Sequence, residues 1–210
     1  MCSSHRLVHG SARTALVAAV ILGALLAGGS GTAAQAAGQR PGCEAPVWGS
    51  EAETFAARIA EYVNLRTKLE IGLPPQKTSE NPAETAETRQ ALAARIRTAR
   101  ANAKQGDLLT PALSVQIQRS LRLQMDPHTW KVIMDDNPGE FPSQVNDEYR
   151  VGQPLATMPP NVLRALPELA ADIEYRFVER HLILLDTRAN LILDRIPYAI
   201  RYADTQKSCR

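Results

Sequence analysis

The chain has 210 residues, with 24 Lys and Arg against 22 Asp and Glu and a formal net charge of +2. A chain this close to neutral has no global field to gather nucleic acid or anionic lipid, which sets nucleic-acid binding aside. Its length suits one ordinary domain, or a domain with a small appendage, with a core of its own.

Residues 1–36 fall into three zones. Met1 to Arg13 is polar, with Arg6 and Arg13 positive and no acid; Ala15 to Ala27 is an unbroken apolar and small run; Gly28 to Ala37 is small and contains Ala34-Gln35-Ala36, an A-x-A site. That order is the signature of a cleavable secretory signal peptide. A spanning helix needs about 20 apolar residues to cross roughly 30 Å of hydrocarbon, and this run falls short of it. Cleavage near Ala36, a periplasmic or extracellular location and no transmembrane segment thereafter are the expectations. A lipid anchor is not expected, because Cys43 follows Arg40-Pro41-Gly42 in place of a lipobox. Cleavage removes Arg6 and Arg13 and no acid, so 24 basic residues become 22 against 22 acidic ones, formal neutrality. Two cysteines remain, Cys43 and Cys209, one near each end. In an oxidising compartment an even count points to a disulfide between them, worth about 4–5 kcal/mol on the loop-entropy model; two unpaired thiols on loose tails are the other reading.

Residues 37–48 are rich in Pro and Gly and read as a flexible tail, and 49–142 as a helical region. Ser50 with Glu53 forms a capping box at the start of the first helix, whose stripe is Phe55, Ile59, Tyr62, Val63 and Leu69 and which Gly72, Pro74 and Pro75 end. Asn81-Pro82 with Glu84 starts the second; Leu92, Ile96, Ala99 and Ala103 share a face, and Gly106 should stop it. Its Arg95, Arg97, Arg100 and Lys104 read as a solvated face. Thr110-Pro111 opens a third helix with Leu113, Ile117, Leu121 and Met125 on one side. Asp126-Pro127 opens a short fourth, with Trp130, Ile133 and Met134 inward, ending at the Asn137-Pro138-Gly139 turn.

Residues 143–200 are a Pro-rich connection, with room for a short helix at Asn161 to Leu166, followed by three β-like runs: Ile173 to Val178, Leu182 to Asp186 and Leu191 to Ile196. Ile173, Tyr175 and Phe177 alternate with polar residues as a half-buried strand does, and the short connections make antiparallel hairpins. The predicted fold class is therefore α+β: about four helices, then a three-stranded antiparallel meander in the same domain, with 201–210 as a C-terminal tail. Three strands cannot hide an apolar face alone, so Tyr175, Phe177, Leu184 and Leu193 should be buried against the helices.

Chemistry-bearing patterns are sparse. His128 follows Asp126-Pro127 in a helix first turn and His181 falls in a hairpin turn, each read as structural, and no nucleophile motif accompanies them. Asp135-Asp136-Asn137-Pro138-Gly139-Glu140 gathers hard oxygens, yet not at the alternating spacing of a calcium loop; it reads as a turn. The cysteines and histidines lack zinc spacing. No catalytic, cofactor or metal residue is assigned. The densest polar content lies in the meander, where Glu174, Arg176, Arg180, Asp186, Arg188, Asp194 and Arg195 alternate in sign. Cross-strand ion pairs on a wet face are the plain account, and a recognition surface the sharper one. Arg188, in a turn, should cost under about 0.5 kcal/mol on removal.

The segments AKQGDLLTP (103–111), DDNPGEFPSQVNDEY (135–149) and IEYRFVERHLILLDTRANLILDRIPYAI (173–200) resemble a group of uncharacterised exported bacterial proteins, over roughly residues 55 to 200. More loosely, Leu166 to Ile196 is similar to the terminal hairpin of periplasmic proteins implicated in nickel and cobalt homeostasis, without their histidine-rich stretch. The resemblance implies the compartment and the meander, and no activity or cofactor. The reading is a non-enzymatic envelope module that binds another envelope protein or a cell-wall component. The alternative is a small hydrolase-like enzyme using Asp135, Asp136 and Glu140.

Overall fold

Proline at the first helical position and an oxygen just before it recur along this chain, and they set where its helices begin. The computed structural model describes residues 47–74, 82–150, 152 and 154–206. Among these, α1 (Ser50–Glu70), α2 (Pro82–Ala99), α3 (Pro111–Gln124), α4 (Pro127–Asp135) and α5 (Pro160–Arg164) precede β1 (Ile173–Val178), β2 (His181–Asp186) and β3 (Leu191–Ile196), and a 3-10 turn closes the chain at Tyr202–Gln206. The Thr110 hydroxyl accepts from Leu113 N at 3.2 Å and the Asp126 carboxylate from Thr129 N at 2.7 Å, satisfying first-turn amides of α3 and α4. The strands form one antiparallel sheet in the order β1-β2-β3, so the fold is α+β with the meander C-terminal to the helices.

Helices and sheet share one core. Phe55, Ile59 and Tyr62 of α1, Leu92 and Ile96 of α2 and Leu113, Ile117 and Leu121 of α3 meet the sheet's inner face. Tyr175, Phe177, Leu184 and Leu193 are buried there, as the alternation requires. The outer face is not simply wet: Phe141 and Tyr149 cover Val178, Ile183, Leu185 and Ile192 in a second cluster, with the two rings edge to face at 5.1 Å. The described residues belong to one compact unit.

Several local expectations are corrected. The cap of α1 is Gly49, with no side-chain hydrogen bond, so Ser50 and Glu53 make no capping box. Helix α2 ends at Ala99, short of Gly106; Ala99 is exposed and Ala103 lies outside the helix. The amides of Gly106, Leu108 and Leu109 instead go to the Asp194 carboxylate, an exchange a continued helix would forbid. His181 opens β2 and does not sit in the turn. Trp48 packs against the core, and Tyr202 in the closing turn meets the Trp130 ring edge to face at 5.5 Å, so 48 and 202–206 are not loose tails. The 1–36 segment, the Asn81 cap and the Cys43 and Cys209 thiols lie outside the described residues.

Candidate functional site

The two edges of the sheet are treated differently. On the β3 side, Asn146 N donates to Ile192 O at 2.8 Å, Ile192 N to Asp147 O at 2.9 Å and Tyr149 N to Asn190 O at 3.1 Å, so the 146–149 segment pairs with that edge. The end of α2 and the residue after it hold the segment in place: Arg97 Nε donates to Asn146 O at 3.1 Å, and the Asn146 amide donates to Arg100 O at 2.9 Å. Arg100 also reaches Leu193 O, at 3.1 Å. These arginines, expected to be a solvated face, close an edge; Arg95 caps α1, donating to Leu69 O and Ile71 O at 2.8 and 2.9 Å.

Among the described residues nothing comparable covers β1. Thr187 N donates to Asp172 O at 2.9 Å, which fixes the ladder: even-numbered residues of β1 turn their backbone groups to β2, odd-numbered ones turn theirs outward. Ile173 N accordingly goes outward, to Ala170 O at 3.2 Å. Among the described residues the outward N–H and C=O of Tyr175 and Phe177 have no hydrogen-bond partner. Alongside lies a cleft of about 700 Å³, with Ile173–Arg176 on one side and Met158, Leu163, Leu166 and Leu169 on the other. Arg164 and Glu168 line it too. The Tyr175 hydroxyl is buried without a hydrogen-bond partner, and burial raises its pKa. An open strand edge beside an apolar wall can take an extended peptide as a further strand, with alternate side chains read by the wall.

The polar residues singled out in the meander are not one surface. Asp186 is fully buried on the inner face, where Tyr62 Oη donates to it at 2.5 Å and Arg66 lies 3.2 Å away. Burial, then the Asp186 charge, raises the Tyr62 pKa. Asp194 is fully buried too, because β3 carries an extra residue where Leu184 and Leu185 face it, and such a bulge re-aims a side chain. Its carboxylate accepts from Gly106, Leu108 and Leu109 N at 2.8–3.1 Å and from Arg195 N at 2.7 Å. Burial raises its pKa, and those amides pull the other way. Arg188 is no free turn residue: its Nε donates to Glu70 at 2.8 Å, tying the β2–β3 turn to α1. Arg176 pairs with Glu174 on β1, and Arg180 stands 5.1 Å over the Tyr198 ring. The wet-face reading therefore fails for Asp186 and Asp194.

The alternative carboxylates are kept apart. Asp135 pairs with Lys131 at 2.5 Å and Asp136 accepts from the Thr157 hydroxyl at 2.6 Å, both exposed. Glu140 lines a cleft of about 600 Å³ with His181, Arg195 and Tyr198, which neither Asp135 nor Asp136 borders. The Asn137 side chain spends its oxygen on Gly139 N and Glu179 N and its amide on Glu179 O, so this turn clips the β1–β2 hairpin. In that cleft Tyr198 N donates to His181 Nδ1 at 2.9 Å, so the neutral ring carries its proton on Nε2 and offers the cleft a donor, not a base. Desolvation, then the Arg195 charge, lowers the His181 pKa. Among the described residues no three His, Cys, Asp or Glu side chains are placed to hold a metal ion, and no helix is long and apolar enough to cross a membrane.

Sequence reasoning missed the cleft wall of Met158, Leu163, Leu166 and Leu169: it expected a short helix at Asn161 to Leu166, but nothing in a Pro-rich connection marks which strand edge that helix lies beside. Comparison of the chain with protein-family models, curated proteins and solved structures finds no match in any of the three.

Proposed function

We propose that this is an exported, non-enzymatic interaction module that captures an extended protein segment along β1. The observation behind this reading is the free outward backbone of Tyr175 and Phe177 beside the apolar cleft, when the opposite edge is closed by the protein's own 146–149 segment. Main-chain pairing supplies affinity in such a site, and the Leu163–Leu166–Leu169 wall supplies selectivity. Export rests on the order of zones in residues 1–36 and on the resemblance of 173–200 to exported bacterial proteins. A Cys43–Cys209 disulfide belongs to the same proposal, since the compartment would oxidise it.

The test is site-specific photo-crosslinking in the cells that make the protein. A photoreactive residue at Arg176, on the open edge, should yield discrete protein adducts; one at Lys131, on the exposed side of α4, should not. Equal labelling at both positions, or none at Arg176, would overturn the reading. The same material should begin at Ala37 and take up alkylating reagent only after reduction; an intact Met1, or two thiols free before reduction, would overturn export or the disulfide respectively.

A further inference from the structure

Resting on that reading, we infer that the segment β1 receives is β1 of a second copy of this chain, giving a two-fold dimer with one continuous six-stranded sheet. The first support is register. In an antiparallel ladder the residues that exchange hydrogen bonds must be those whose N–H and C=O point outward, which on β1 are Ile173, Tyr175 and Phe177. These residues are symmetric about Tyr175. With the axis there, Tyr175 exchanges both bonds with Tyr175 of the second copy, and Phe177 N donates to the second copy's Ile173 O. Ile173 N is already committed to Ala170 O and is not needed.

The second support is charge. In the same register Glu174 stands opposite Arg176 of the second copy, and Arg176 opposite its Glu174, on one face of the sheet. These are non-hydrogen-bonded pairs, in which cross-strand side chains approach most closely. Glu174 and Arg176 are paired within one copy, with side-chain exposures of 40% and 20%, and the Arg176 Nε is buried with no acceptor in that copy. A slip of one residue would set outward backbone groups against inward ones, and a slip of two would break the charge match. The third support is room: a paired strand lies about 4.8 Å away, and the cleft beside Ile173–Arg176 is the space it fills.

Edge pairing is a small interface, so association is read across concentration. Sedimentation velocity is run on the exported chain in reducing buffer, which removes any intermolecular disulfide through Cys43 or Cys209. The wild type should shift from monomer to dimer as concentration rises. Glu174→Lys places Lys opposite Arg176, and Arg176→Glu places Glu opposite Glu174; each should weaken self-association at least about tenfold, as like charges facing across a ladder do. An equimolar mixture of the two variants restores both opposite-charge pairs and should form a heterodimer close to wild-type strength. Circular dichroism checks that each variant is folded. A wild type monomeric at every concentration, or folded variants that dimerise undiminished, would overturn the inference, as would a mixture no stronger than its parts. The crosslinking test separates the two failures: an Arg176 adduct of twice the chain's mass belongs to the dimer, and an adduct of any other mass keeps the capture site and sinks the second copy.

Discussion

Asp194→Ala removes the acceptor that holds the 106–109 loop against β3. The carboxylate takes the amides of Gly106, Leu108, Leu109 and Arg195. Gly106 and Arg195 are half-buried, so water can replace their bonds; Leu108 and Leu109 are 8% and 1% exposed, so theirs cannot be replaced. A buried donor left unmatched costs about 1–3 kcal/mol, so two cost about 2–6 kcal/mol, less whatever is regained by no longer burying a carboxylate. Against a total stability of roughly 5–15 kcal/mol that is a large fraction. Asp194→Asn keeps one acceptor oxygen and should fall between alanine and wild type. Lys131→Ala, removing an exposed pair with Asp135 on α4, should cost under about 0.5 kcal/mol. The assay is urea unfolding, with an unchanged denaturant slope required before midpoints are compared. Faster hydrogen exchange at Leu108 and Leu109 should accompany the loss. A change of less than about 1 kcal/mol for Asp194→Ala, with those amides still protected, would refute the account of the bulge.

Phe177→Ala empties a fully buried site between β1 and the helices and should cost about 3–5 kcal/mol; a loss as small as that of Lys131→Ala in the same urea experiment would contradict a core shared by helices and sheet. His181 has its pKa lowered in the folded state, so below the unfolded value of about 6.5 the unfolded chain binds more protons and stability falls as pH falls. The Tyr198 amide adds to this, because protonating Nδ1 removes its acceptor. His181→Asn should therefore flatten the stability profile between about pH 7 and 5, and an NMR titration placing His181 above the ordinary histidine value would reverse the sign.

The α+β order was legible because its signals are local. Thr110-Pro111 and Asp126-Pro127 announce helix starts by themselves, and Ile173, Tyr175 and Phe177 announce a strand with one apolar face. Asp186 was partly legible as well: it shares parity with Leu182 and Leu184, so a strict period of two already aims it at the core with Tyr62 and Arg66. Asp194 was not. Counting by twos from Leu193 sends it to the opposite face, and only the extra residue in β3 brings Leu193 and Asp194 to the same side. A bulge is set by what the partner strand and the α2–α3 loop require, which no window of β3 contains. The partner of Arg188, which does sit in the turn, was illegible for a similar reason: Glu70 is far off in sequence, at the end of α1.

The edge at β1 was hidden by a subtler circumstance. A strand's place in a sheet is a property of its neighbours, and the neighbour that closes β3 is Asn146-Asp147-Glu148-Tyr149, a segment with none of the β-branched or alternating character of a strand. It pairs because the Arg97 side chain of α2 holds Asn146 by its carbonyl and the backbone carbonyl of Arg100, just past the helix, accepts from its amide. The chain thus uses the C-terminal end of one helix and the residue after it to seal one edge with residues that have little tendency to seal it themselves. On the other edge it places Glu174 and Arg176, one of each sign, flanking Tyr175 in a pattern that is complementary to itself under a two-fold axis through Tyr175. Two like charges there would repel a second copy and are the usual protection of an exposed edge. An acid and a base two residues apart, with outward backbone at the residue between them, leave the edge protected against random strands by its charge and open to the one strand that matches it.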